Sequence, residues 1–114
     1  MNRLEVAENW AESQDASLLM LGGTPEERQS FADAFLGVMY MGDEDEEDNI
    51  IPVAIYSKEG VVKTFIERDG MSYEEAVEFF DFNVEGAYMG KGTPMYIETF
   101  DWELELENKL INQL

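Results

Sequence analysis

The residues of this sequence that could do chemistry are almost all carboxylates. The chain has 26 Asp and Glu residues against 7 Lys and Arg residues, with no histidine and no cysteine. Without imidazole or thiol groups, nucleophiles activated by histidine are excluded, and so are disulfides. A zinc site would need carboxylates alone, which is uncommon. What remains is the attraction of carboxylates for cations and for basic surfaces.

The most regular row of carboxylates lies near the C-terminus, where acids alternate strictly with apolar residues. In an extended chain, successive side chains point to opposite faces, so one face would carry only carboxylates, about 6.6 Å apart. We expect a strand to about Glu105, followed by a short helix whose spacing is set by Leu106, Leu110 and Leu114. The acids of this row are Asp101, Glu103, Glu105 and Glu107.

Two further groups of acids accompany that row. One follows a helical spacing of i, i+1, i+4, i+7 and i+11, and it comprises Glu74, Glu75, Glu78, Asp81 and Glu85. The other is an uninterrupted run, which predicts a solvated loop because adjacent like charges disfavour a packed element. The run comprises Asp43, Glu44, Asp45, Glu46, Glu47 and Asp48.

These acids also fit other interpretations. Solvated faces of ordinary amphipathic elements carry acids too, and for any one stripe that is the commoner case. A calcium loop of the EF-hand type starting at Asp43 would need glycine at position 48 and glutamate at position 54, where the chain has Asp48 and Ala54. No metal site and no cofactor are therefore expected. The many carboxylate pairs give no specific sign of glycosidase-like catalysis, and no phosphate-binding loop is present, so we do not expect an enzyme.

Composition indicates one folded domain with an unusual charge. A chain of 114 residues with 45% apolar residues can bury a core. Its formal net charge of −19 excludes direct binding to nucleic acid or to an anionic membrane. The acidic N-terminus does not resemble a signal peptide, and no apolar stretch approaches about 20 residues. We therefore expect a cytoplasmic protein.

Four segments have the pattern of amphipathic helices. Residues 3–12 form the first. Thr24 as N-cap and Pro25 at the first helical position begin the second, which apolar spacing extends to about Met39. The third places Val61, Val62, Phe65 and Ile66 on one face and ends at Asp69-Gly70, and the fourth runs from Ser72, with Glu75 reaching back to it, to about Gly86.

Shorter segments predict strands and turns. Residues 50–56 indicate a strand with Pro52 at an edge or near its start, and residues 95–97 begin a strand that continues into the alternating acids. Residues 16–21 fit a buried strand or a last helical turn, and turns are expected at 57–60 and 90–94. The predicted fold is α+β, with a small, mainly antiparallel sheet flanked by three or four helices in one domain, 1–114.

The segment Gly70–Tyr88 reads GMSYEEAVEFFDFNVEGAY and is followed by Gly90 and by Thr93-Pro94. Together with residues 31–38 and 53–56, it resembles an uncharacterised family of short phage and prophage proteins, over about residues 30–98. The resemblance implies a phage-type origin and a common scaffold, and it brings no activity with it. The chain differs from that family in the acidic run 43–48 and in an acidic extension, 99–114, where a specialised role is expected.

The expected partner is a basic protein. A row of carboxylates on a rigid surface can imitate the phosphates of DNA, which carry one charge per about 1.7 Å of duplex axis. We expect an inhibitor that occupies the basic cleft of a host nucleic-acid-binding protein, such as a nuclease or a CRISPR-type effector, in the cytoplasm of an infected cell. The alternative is a phage structural or assembly module that binds another protein through apolar contacts. A homodimer formed through an edge strand would join two acidic rows.

Overall fold

The structure, a computed structural model, describes residues 1–100. In this range, four α-helices and a three-stranded sheet follow one another along the chain. The helices are α1 (Arg3–Ser13), α2 (Pro25–Ser30), α3 (Lys58–Asp69) and α4 (Tyr73–Phe79). The strands are β1 (Phe35–Gly42), β2 (Ile50–Ser57) and β3 (Met95–Ile97). The expected α+β class is confirmed.

The sheet is mixed, with the order β1-β2-β3. β1 and β2 form an antiparallel hairpin whose pairing runs from Phe35 opposite Tyr56 to Gly42 opposite Ile50. β3 pairs in parallel with residues 55–57 at the end of β2. The sheet is thus antiparallel over the long hairpin and parallel over a short third strand. Pro52 lies in the part of β2 that pairs with β1 alone, which agrees with its missing N–H group.

One apolar cluster joins these elements, except α2, which has no buried residue. Leu4, Phe35, Tyr56, Val61 and Phe80 are its largest fully buried side chains. They come from α1, β1, β2, α3 and the π-helical turn after α4, and α4 and β3 add Ala76 and the partly buried Tyr96. Within residues 1–100, no helix is long and apolar enough to cross a membrane.

The capping signals correctly predicted where helices begin. Thr24 Oγ1 accepts the N–H of Glu27, and Ser72 Oγ accepts the N–H of Glu75. The Glu27 carboxylate accepts the N–H of Gly23, whereas Glu75 is exposed and makes no bond back to Ser72 among the described hydrogen bonds. α1 and α3 lie close to their predicted bounds, and Gly70 ends α3 in the left-handed conformation, as expected for a C-terminal glycine.

The helix predicted from Pro25 to about Met39 is wrong. α2 ends at Ser30, a 3₁₀ turn covers Ala32–Ala34, and β1 begins at Phe35. Phe31, Ala34 and Phe35 are buried as the helical pattern implied, but they reach the core from a turn and a strand start. The chain beyond them instead pairs with the apolar strand β2, an interaction that local spacing cannot reveal.

Two shorter predictions are also wrong. Residues 16–21 form neither a strand nor a helical turn. Met20 packs into the core, and the N–H of Leu21 donates to the Tyr56 hydroxyl at 3.0 Å. Residues 57–60 are not a turn, because Ser57 caps a helix that begins at Lys58. Gly60 allows α3 to approach the 3₁₀ turn, since a Cβ atom there would lie 2.8 Å from Ala34.

The fourth predicted helix has an irregular end. α4 stops at Phe79, and Phe80–Val84 continues it as a π-helical turn with wider hydrogen bonding. Ala76, Phe80 and Val84 are buried as predicted, whereas Phe79 is 40% exposed. The last strand ends at Ile97, and Glu98–Phe100 have no regular secondary structure. The prediction for 101–114 lies outside the described residues.

Candidate partner-binding surfaces

The acidic run 43–48 forms the loop of the β1–β2 hairpin, and its first residue holds it together. The Asp43 side chain is 3% exposed. Its carboxylate accepts the backbone N–H of Asp45 at 2.9 Å and the side-chain amide of Asn49 at 3.0 Å. The Asp43 N–H in turn donates to the Asn49 carbonyl. Asp43 therefore closes the loop on itself.

Lys91 connects this loop to the turn before β3. Its ammonium group lies 3.1 Å from both the Asp43 and the Asp45 carboxylates. The N–H of Asp45, the Asn49 amide and Lys91 together lower the pKa of Asp43 to about 2. The same contacts with Asp43 and Asp45 raise the pKa of Lys91. We call these four residues, Asp43, Asp45, Asn49 and Lys91, the loop clasp.

The remaining acids of the run are exposed and lie outside the clasp. They are Glu44, Glu46, Glu47 and Asp48. We call them, with the 75% exposed side chain of Asp45, the hairpin-loop surface. Of the six predicted partner-binding residues here, the structure thus makes five available to a partner. Asp43 is buried and already paired.

The strands that carry this loop expose apolar side chains near it. Met39 is 57% exposed, Tyr40 62% and Ile50 64%. The Tyr40 ring makes an edge-to-face contact with Trp10 of α1, with ring centres 6.1 Å apart. The opposite end of the hairpin is buried, with Phe35 packed against Tyr56 at 5.5 Å. The hairpin therefore emerges from the core with both acidic and apolar groups facing solvent.

The helical group of acids lies on the outer side of α4 and of the π-helical turn. All five side chains are exposed, and these are Glu74, Glu75, Glu78, Asp81 and Glu85. Asp81 is partly neutralised because the Lys58 ammonium lies 3.3 Å from its carboxylate and 3.3 Å from that of Glu98. Partial burial by itself would lower the pKa of Lys58. The hydrogen bonds to Asp81 and Glu98 outweigh this effect, so the pKa of Lys58 is raised.

Three of the six Lys and Arg residues in the described part of the chain form ion pairs with its own acids. Lys58 and Lys91 pair as described, and Lys58 also lies 5.3 Å from the centre of the Phe80 ring. Arg68 forms a two-point pair with Asp69 and lies over Phe31 at 5.0 Å. Each of these three cations pairs with acids of the protein itself. Lys91 is the cation that lies beside the hairpin-loop surface, through its contact with Asp45.

Sequence reasoning missed two features of these surfaces. Lys91 was assigned to a turn, and nothing local signals a partner 48 positions earlier in the chain. Phe82, which the sequence assigned to no face, and Tyr88 are 78% and 81% exposed.

The C-terminal row of Asp101, Glu103, Glu105 and Glu107 lies outside the described residues. Within residues 1–100, no group of Asp and Glu side chains is arranged to hold a metal ion. Comparison with protein-family models, with curated proteins and with solved structures gave no match.

Proposed function

We propose that this protein is a phage-encoded, non-enzymatic inhibitor that binds the basic cleft of a host nucleic-acid-binding protein in the host cytoplasm. The observation that carries the proposal is the hairpin-loop surface. It presents acids on a loop that the buried Asp43 and the cation of Lys91 hold in one conformation. A nucleic-acid mimic needs its negative charges in place before binding, because ordering them during binding costs free energy.

The rest of the molecule supports this role through its charge. A net charge of −19 produces a strong negative field that accelerates encounter with a basic cleft. Internal pairing of Lys58, Arg68 and Lys91 limits the positive groups that would face such a cleft. The resemblance to short phage proteins agrees with a target in a host defence system, a nuclease or a CRISPR-type effector.

Affinity capture from a bacterial lysate tests the proposal. The immobilised protein is washed, bound proteins are displaced with a DNA duplex or with RNA, and the displaced proteins are identified by mass spectrometry. We expect a nucleic-acid-binding protein that is released by nucleic acid and whose binding weakens steeply as salt rises. A captured protein that nucleic acid does not displace would contradict the proposal.

Matched charge reversals identify the contact surface. The triple variant Glu44→Lys, Glu46→Lys and Glu47→Lys changes the hairpin-loop surface and leaves the clasp intact. Glu74→Lys, Glu75→Lys and Glu78→Lys on α4 make the same change in charge elsewhere. We expect the loop variant to lose the target and the α4 variant to keep it with reduced affinity. Asp101→Lys, Glu103→Lys and Glu105→Lys test the C-terminal row in the same way.

The second candidate is a phage structural or assembly module. The exposed Phe82 and Tyr88 favour it, because large aromatic residues at a surface are typical of protein contacts. In that case the protein co-purifies with phage particles, and Phe82→Ser together with Tyr88→Ser releases it, whereas salt has little effect. Absence from particles, together with target loss on charge reversal, would exclude this candidate.

A further inference from the structure

β1 is an edge strand of the sheet. Among residues 1–100, it pairs with β2 on one side and with no strand on the other. No turn, loop or side-chain hydrogen bond in that range involves a backbone group of residues 36–42. Soluble proteins usually protect such an edge, because its unpaired N–H and C=O groups are a template for another strand.

The register shows which groups face outwards. Pro52 lies opposite Tyr40 and has no N–H to donate. The Pro52 carbonyl points to the other side, where a Cβ atom on Gly92 would lie 3.4 Å from its oxygen. Tyr40 and Pro52 therefore form a non-hydrogen-bonded pair, and the N–H and C=O of Tyr40 point away from β2. Alternation gives the same orientation to Val38 and Gly42.

At the end of β1 that lies next to α1, the side chains form an apolar surface that an added strand could cover. Beside β1, α1 leaves a groove of about 480 Å³ whose walls include Val6, Trp10, Val38 and Tyr40. Tyr40 and Val38 share the face of β1 that lines the groove, and Met39 lies exposed on the opposite face. A strand laid along β1 would place alternate side chains over the groove and over Met39.

Charge distinguishes the two ends of the edge. The acidic loop 43–48, which carries the hairpin-loop surface, begins directly after Gly42 at the end of β1. Arg3 lines the groove near the start of the strand. A segment that binds here would gain from Lys or Arg residues at the loop end and from apolar residues at the groove end. A second copy of this chain would instead bring another net charge of −19 to the same edge.

We propose that the open edge of β1 binds an extended segment of a partner protein by strand addition, with the basic residues of that segment beside the hairpin-loop surface and its apolar residues over the α1 groove. The main-chain groups of Val38, Tyr40 and Gly42 supply the hydrogen bonds, as in other recognition by an added strand. This inference rests on the proposed function, since it describes how the basic partner is held.

Synthetic peptides test the inference on the full chain. The probe is a peptide of about eight residues, the usual length of a strand, with lysines in its N-terminal half and alternating valines and threonines in its C-terminal half. In an antiparallel arrangement this places the lysines at the loop. One control peptide has glutamate in place of lysine, and another carries N-methyl groups on the backbone nitrogens that would pair.

Amide hydrogen exchange measured by NMR gives the decisive readout. In the free protein, we expect the amides of Val38, Tyr40 and Gly42 to exchange quickly. The amides of Met39 and Met41 should exchange slowly, because they donate hydrogen bonds to β2. The lysine peptide should slow exchange at the first three amides by about tenfold or more. The N-methyl peptide should not protect them, and the glutamate peptide should bind about tenfold more weakly or worse.

A protein variant provides a second test. Tyr40→Pro removes an outward N–H and no bond to β2, so the protein should keep its helical circular dichroism and lose peptide binding. If Tyr40→Pro unfolds the protein, the N-methyl peptide still gives the answer. The inference would be overturned if the lysine peptide binds but does not slow amide exchange at Val38, Tyr40 and Gly42. In that case the peptide binds only through attraction of its lysines to the acidic loop.

Two other outcomes would also overturn the inference. Slow exchange at these amides in the free protein, together with a dimer mass in sedimentation, would show that a second copy occupies the edge. Failure of the lysine peptide to bind would show that the edge takes no basic strand. These two outcomes differ from failure of the proposed function. The proposed function fails if the lysate capture yields no protein that nucleic acid displaces, and that result does not depend on the peptide experiments.

Discussion

The hairpin loop carries six acids, and α4 together with the π-helical turn and Glu85 carries five, but the two groups are held in different ways. The acids of α4 lie on the outer face of a helix whose other face, through Ala76 and Phe80, is fully buried. This is the ordinary arrangement of an amphipathic helix. The hairpin loop extends strands whose apolar residues Met39, Tyr40 and Ile50 remain exposed, so core packing cannot hold it. Instead, a buried carboxylate and a lysine from a distant turn hold the loop.

This difference is why we propose the hairpin loop, and not α4, as the contact surface. Acids on α4 accompany packing that would exist without them, so they need no further explanation. In the hairpin, one acid is buried to order the others, and apolar side chains are left in water beside them. Exposed apolar side chains of this kind stabilise the fold little, and under the proposed function a partner would cover them.

Removal of the core beneath α4 should have the largest effect. Phe80 is fully buried and lies 5.0 Å, edge to face, from Tyr96. Phe80→Ala should lower the free energy of unfolding by about 3–5 kcal/mol, because it leaves a cavity among α3, α4 and β3. Phe82→Ala, two residues away and exposed, should change it by no more than about 0.5 kcal/mol. Urea denaturation measures both, and equal losses would contradict the packing described for α4.

Removal of the clasp lysine should have the next largest effect, limited mostly to the loop. Lys91→Met leaves the buried Asp43 carboxylate without its cation, so the loop should open more often. We expect the amide of Asp45 to exchange about tenfold faster or more, as measured by NMR. Lys63→Met is the control, because Lys63 is exposed and forms no ion pair in the described part of the chain. Unchanged exchange in Lys91→Met would show that Asn49 alone suffices.

The loop clasp should also be visible as a dependence of stability on pH. The pKa of Asp43 is about 2 in the folded protein, against about 3.9 in an unfolded chain. Between these values the unfolded state binds more protons, so the contribution of Asp43 is present above about pH 4 and is lost as pH falls towards 2. The difference in stability between the wild type and Asp43→Asn should therefore shrink over that interval.

The control for this measurement is Asp48→Asn. Asp48 is exposed and makes no hydrogen bond through its side chain among the described residues. Its stability curve in thermal denaturation should run parallel to that of the wild type between pH 4 and pH 2. A constant difference for Asp43→Asn across the same interval would contradict the role of Asp43 in the clasp.

Changes to the exposed apolar residues of the hairpin should have the smallest effect on stability. Met39→Thr with Tyr40→Thr keeps residues that favour strands and removes apolar side chains that face water. The free energy of unfolding should change by about 0.5 kcal/mol or less per site. A loss comparable to that of Phe80→Ala would mean that the hairpin is packed as tightly as α4, and the contrast between the two regions would fail.

Local signals predicted much of the fold. Caps at Thr24 and Ser72 and the glycine at position 70 mark helix ends because they act through hydrogen bonds and backbone conformation within a few residues. The strand over residues 50–56 and the acidic loop before it were predicted for similarly local reasons. Prediction failed at residues 31–39, where spacing suited a helix, but the chain forms a 3₁₀ turn and then, from Phe35, a strand that pairs with β2. It failed at residues 16–21, where the partner is the Tyr56 hydroxyl, 35 positions away.

For the candidate surfaces, the sequence by itself determined the excess of acids, their clustering at 43–48 and along α4, and the absence of histidine and cysteine chemistry. These are properties of composition and of local spacing, and they follow without contacts. Only the tertiary structure decided that Asp43 is buried, that Lys91 holds the loop, and that β1 pairs with β2 alone among residues 1–100. Each depends on groups brought together from distant parts of the chain, because burial and pairing are set by what surrounds a residue in space.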